Sequence, residues 1–130
     1  MNLQEKIAKA RAEFEATEPT TLNVEVGGEL TVLGFRPVWG QEWVDLLAVN
    51  PPRPGSENDT AVGYNTDAVA EGYPVAAVTV DGDPVSADEW RELVAVLSAP
   101  NRNNIASVLY VLNQLEPARK LAAAGKALKG

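Results

Sequence analysis

The stretch from Pro84 to Leu115 reads PVSADEWRELVAVLSAPNRNNIASVLYVLNQL, and its reading decides the fold. Ser86-Ala87-Asp88-Glu89 has the form of a capping box. The serine oxygen accepts from the Glu89 backbone N–H, and the Glu89 carboxylate reaches back to Ser86. Asp88 and Glu89 also sit at the positive end of the helix dipole. Trp90, Leu93, Val94 and Leu97 then recur at helical spacing, so a helix is expected over about 86–98. Ala99-Pro100-Asn101 breaks the pattern. A second helix is expected over about 102–115, with Ile105, Val108, Leu109, Leu112 and Leu115 on one stripe. Its other face carries Asn103, Asn104, Ser107, Asn113 and Gln114, with Tyr110 among them. Amides and a hydroxyl with so few charges are unusual for a solvated helix face. Asn103, Ser107, Tyr110 and Gln114 are therefore candidate partner-binding residues.

Upstream, Leu22, Val24 and Val26 alternate with polar residues, Gly27-Gly28 supplies the positive φ of a tight turn, and Leu30 and Val32 resume the alternation. An antiparallel β-hairpin is expected over about 21–35. A lone hairpin is marginal in water, so it must pack on helices or pair with a third strand. Val75 to Val80 fits either strand or helix. Pro37 opens another helical unit, over about 38–49, in which Trp39, Trp43, Leu46 and Leu47 share one face. Two tryptophans a turn apart suit either the core or a partner-binding surface, and Trp39 and Trp43 join the candidates. Tyr64 to Tyr73 reads as a short helix or turn capped by Asn65 or Thr66. The expected class is α+β, mainly α-helical: one small hairpin packed with a helical core, in a single domain spanning 1–130.

Three segments fall outside that core. Residues 1–18 hold a helix whose apolar face, Leu3, Ile7, Ala10 and Phe14, is thin enough to make it peripheral. Residues 50–63 are rich in Pro, Gly, Ser, Asn and Asp without an aromatic anchor, and read as a mobile loop. Residues 117–130 read as a basic, loosely packed C-terminal helix, with Leu121, Ala122, Ala124 and Leu128 as a weak face and Gly125 weakening it further.

Composition narrows function by exclusion. The 130 residues contain neither cysteine nor histidine, which removes disulfides, thiolate nucleophiles and the commonest general base and metal ligand. The net charge of −7 argues against nucleic acid as a primary partner. From Glu13 to Glu92 the acids face only Arg36, Arg53 and Arg91, whereas Arg119, Lys120, Lys126 and Lys129 follow Pro117 with no acid. No apolar run has the length of a membrane span, and Met1-Asn2-Leu3-Gln4-Glu5-Lys6 lacks the basic-then-apolar form of a signal peptide. A cytosolic protein is expected.

No catalytic constellation emerges. Asp81-x-Asp83, with Asp88 and Glu92 behind, has a superficial likeness to a calcium loop. Val85 and Ser86, however, stand where a ligand and a glycine are needed, and the capping box uses the same residues. Gly27-Gly28 lacks the strand–loop–helix setting and lysine of a phosphate loop. A non-enzymatic protein without metal or cofactor is expected.

Several segments together resemble tail assembly chaperones of long-tailed, siphovirus-type actinobacterial phages. They are Phe35-Arg36-Pro37 before Trp43-Val44-Asp45-Leu46-Leu47; Asn50-Pro51-Pro52-Arg53-Pro54; Tyr64-Asn65-Thr66-Asp67-Ala68-Val69 before Tyr73-Pro74; Asp81 through Trp90; and Asn104-Ile105-Ala106 through Leu112-Asn113. The likeness covers roughly residues 20–115. It implies a protein of the host cytoplasm that binds the tape measure protein, keeps it soluble, and helps tail tube subunits polymerise around it. It also implies homo-oligomers and, near Gly125-Lys126, a programmed frameshift giving a longer form. The alternative is a structural virion component, such as a head–tail connector or minor tail protein.

Overall fold

The structure, a computed structural model, describes residues 1–129, with side chains as far as Lys126. The assignment of Leu128 to an apolar face therefore lies outside the described side chains. The chain is mainly helical with one small antiparallel sheet, in the order α1 (Leu3–Glu15), β1 (Thr20–Val26), β2 (Glu29–Phe35), α2 (Gly40–Ala48), α3 (Glu57–Val62), α4 (Thr66–Glu71), a 3₁₀ turn (Val75–Ala77), β3 (Val78–Val80), β4 (Asp83–Pro84), α5 (Ala87–Val96), α6 (Ala99–Tyr110), a π-helical turn (Val111–Leu115) and α7 (Glu116–Lys129).

The hairpin forms around Gly27 and Gly28, at φ of 60° and 80°, the left-handed geometry that matches the twist of the flanking strands. It grows into a four-stranded meander ordered β1-β2-β3-β4, with Leu33 opposite Val80 and Phe35 opposite Val78. The ambiguous segment 75–80 is thus both things in turn. Pro74 starts a single 3₁₀ turn, and the β-branched Val78-Thr79-Val80 supplies the third strand that shields the hairpin edge.

One sheet face presents Val24, Leu33, Phe35 and Val78 to α5 and α6, which answer with Trp90, Val94, Ile105 and Leu109. Trp90 is fully buried at the centre. Its ring meets Phe35 edge-on at 5.8 Å, and its Nε1 donates to the Ala70 carbonyl at 2.9 Å. Burying an apolar side chain of this kind contributes about 1.5–3 kcal/mol. The capping box of α5 forms in both directions.

Two breaks expected around α6 take a different form. Ala99-Pro100-Asn101 begins the helix rather than spacing it. Ser98 caps it by accepting from the Asn101 N–H, and Pro100 occupies the first turn, where its missing N–H costs nothing. At the other end Pro117 does not start a separate helix. The chain continues from α6 through the π turn into α7. A proline inside a helix lacks a donor and crowds the carbonyl four residues back. The wider π turn just upstream takes up that misfit.

The segment 50–63 is not a featureless loop, contrary to the expectation. It carries α3, and it holds Asp59, which is fully buried. The chain ends are different. α1 buries none of its residues, and Leu121 of α7 is exposed. No helix among the described residues is long and apolar enough to cross a membrane.

Candidate functional site

The site is built from Arg53 outward. Its Nε and Nη2 reach the two carboxylate oxygens of Asp59 at 2.8 and 3.0 Å, and its Nη1 reaches Asp67 at 2.8 Å. Asp59 also accepts from the Arg53 N–H at 2.9 Å and from the Thr66 N–H and hydroxyl at 3.2 and 3.1 Å. Burial alone would favour the neutral acid. The Arg53 fork, first among the causes, outweighs it and holds the carboxyl well below the usual carboxylate range. The same pairing raises the Arg53 pKa, with its Asp59 bond the largest cause. Arg102 of α6 extends the cluster to Glu71 at 2.7 Å and to Asp67 at 3.7 Å. Through this network Arg53 ties α3 to α4 and Arg102 ties α6 to α4, while Val62 of α3 packs against the core.

Anchored there, α3 faces α6 across an open groove of about 430 Å³. Asn58, Ala61 and Val62 form one wall, Asn103, Ala106, Ser107 and Tyr110 the other, and Tyr64, Thr66 and Val111 complete it. None of these side chains is charged, although the protein as a whole is strongly acidic. Ala61, Ala106 and Ser107 are small enough to admit a close backbone, while amides at both walls offer hydrogen bonds. The Ser107 hydroxyl already donates to the Asn103 carbonyl at 3.0 Å. Tyr64 is buried beneath, which pushes its phenol up to about 12, with Tyr110 a smaller cause.

Asn103, Ser107 and Tyr110 are thus brought together, and the other candidates are separated from them. Trp43 is 4% exposed and belongs to the core, T-shaped against Tyr64 at 5.6 Å. Its ring is spent on packing rather than laid on an exposed surface. Gln114 points its amide oxygen at that indole, accepting from Trp43 Nε1 at 3.0 Å. Asn113 also turns inward. It accepts from the Val38 N–H at 2.9 Å and donates to the Tyr73 hydroxyl at 3.0 Å. The amide face therefore divides: its first half lines the groove, and its last turn ties α2 to the core. Trp39 lies elsewhere, 42% exposed and stacked on Phe14 with ring centres 3.8 Å apart.

The groove wall from α3 escaped the sequence reading. Its signal was present as Ser56, whose side chain accepts from the Asp59 N–H, and as Gly63, the left-handed C-cap. In the calcium-like run Asp81 is engaged by the sheet, and the capping box lies inside the run. Asp81 accepts from the Val32 N–H at 2.9 Å, and Glu89 closes the capping box. Among the described residues no group of three metal-ligating side chains converges. No family model, curated protein or solved structure matches the chain.

Proposed function

We propose that this chain is a non-enzymatic tail assembly chaperone that holds the tape measure protein in the host cytoplasm. The observation that carries the reading is the uncharged groove between α3 and α6, set in a chain of net charge −7. A helix laid in such a groove packs against small residues and hydrogen-bonds to amides without desolvating a charge. The surrounding acids keep the loaded complex soluble and repel nucleic acid. Holding of this kind needs no cofactor. In this reading the tape measure is released to tail tube subunits as they polymerise, and a frameshifted longer form of the chain shares the groove.

The test is co-expression with the tape measure protein encoded beside it. The expected result is a soluble tape measure that co-purifies with this chain, and its loss when Ala106→Trp fills the groove. An insoluble tape measure with nothing co-eluting overturns the proposal. Recovery of the chain as a stoichiometric part of purified particles points to a structural virion component instead.

A further inference from the structure

The terminal helix α1 is held to the body by very little. Of its residues only Ile7 and Phe14 are even half-buried, and Phe14 stacks on Trp39 with ring centres 3.8 Å apart. Among the described residues its hydrogen bonds and its ion pair stay within 2–17. The Asn2 side chain accepts from the Glu5 N–H, the Thr17 hydroxyl donates to the Glu13 carbonyl, and Lys9 meets Glu13 at 3.7 Å. A helix of 13 residues is marginal in water by itself, so the seat on Trp39 is what orders it.

That seat is underfilled. An open cleft of about 600 Å³ is lined by Ala10 and Phe14 from α1 and by Trp39, Trp43 and Leu112 from the body. A second, of about 270 Å³, lies beside the stacked pair against Pro37, Pro74 and Ala77. Trp39 lines both and remains 42% exposed. Ala10 offers only a methyl group to the larger cleft. Apolar surface left wet in this way gains nothing from burial, and a side chain larger than alanine would cover it. None of these residues lines the groove between α3 and α6.

We infer that α1 is a displaceable strap over a second docking surface, which takes an amphipathic helix of a partner protein with an aromatic residue to lay on Trp39. The occupant is read from α1, which already shows what the surface accepts: a ring at Phe14, with Ala10 and Ile7 one and two turns before it. A partner helix with a larger apolar residue in the Ala10 position keeps the stack and fills the larger cleft. It competes with α1, which swings away on Thr17-Glu18-Pro19, where the chain has no regular structure. Until such a helix arrives, the strap covers one face of the Trp39 ring and limits the apolar surface that the free chain presents. The surface is separate from the groove, and the inference stands whatever fills the groove.

The probe is a synthetic peptide of residues 1–17 carrying Ala10→Leu, added to the isotope-labelled full chain and followed by nuclear magnetic resonance. The expected result is saturable binding that shifts the Trp39 indole signal and speeds amide exchange across Leu3–Glu15 of the chain. The same peptide without the substitution should bind on the order of tenfold more weakly. Phe14→Ala in the chain unseats the tethered competitor and should strengthen peptide binding by on the order of tenfold. Trp39→Ala in the chain should abolish it. Neither side chain belongs to the buried core, and far-UV circular dichroism checks that both variants fold. A peptide that does not bind the Phe14→Ala chain at its solubility limit overturns the inference. So does one that binds the parent chain with α1 still protected, or one indifferent to Trp39→Ala. A chain that holds the tape measure protein yet never releases α1 sinks this inference alone.

Discussion

The indole Nε1 of Trp43 donates to the amide oxygen of Gln114 at 3.0 Å, joining α2 to the π turn. The bond satisfies the polar end of a side chain that is otherwise core. Gln114→Ala leaves that N–H without its acceptor and should cost about 1–2 kcal/mol. Trp43→Ala removes the ring as well and should cost about 3–5 kcal/mol. Urea unfolding measures both. A Trp43→Ala variant as stable as the parent would show the indole to be a surface group.

Asn113 should be harder to replace than its half-exposed position implies. It serves the Val38 N–H, the Tyr73 hydroxyl and, at 3.0 Å, the Leu109 carbonyl. Asn113→Leu retains bulk but strands the Val38 N–H and takes one partner from the Tyr73 hydroxyl, at an expected cost of about 2–3 kcal/mol. The Tyr73 hydroxyl retains one partner, donating to the Arg36 carbonyl at 2.6 Å. Amide exchange at Val38 is the specific readout and should accelerate more than exchange in β2.

Stability should fall in acid through Asp59. Its folded pKa lies well below the ordinary carboxylate value of about 4. The unfolded chain therefore binds a proton first as pH falls, and unfolding is favoured. The contribution is whole above about pH 5, begins to fade as the pH drops through the unfolded value of about 4, and is lost on passing the folded one. Asp59→Asn should be less stable at neutral pH and should flatten this acid limb. Urea midpoints at pH 7 and pH 3 give the comparison, and equal slopes for parent and variant would count against it.

Ser56→Ala should loosen α3 without unfolding the protein. Losing a serine N-cap costs about 1 kcal/mol. A helix of six residues cannot absorb that from its own propensity. The expected outcome is faster hydrogen exchange across Glu57–Val62 with little change in the global midpoint, together with weaker retention of the tape measure protein. Unchanged exchange would show that the Arg53–Asp59 pair alone holds α3.

Much of the fold was legible because it is local. The capping box of Ser86 and Glu89, the stripe from Trp90 to Leu97, the Gly27-Gly28 turn and the helix expected to end near 49 all depend on residues within a few positions of one another. The sequence by itself determined the class, the main helices and the hairpin. It also determined the absence of histidine and cysteine and the acidity of the chain. The caps Ser56 and Gly63 hinted at a helix over 57–62, but only the tertiary structure decided it, because so short a helix is held by the bonds of Asp59 to Arg53, six residues away, and to Thr66, seven away. Only it decided that Val78-Thr79-Val80 is a strand, because so short a run gains its structure from pairing with β2. It also divided the amide face. Past the start of the π turn, Asn113 and Gln114 bond to Val38 and Trp43, while Asn103, Ser107 and Tyr110 stay on the groove, a division that regular helical periodicity does not contain.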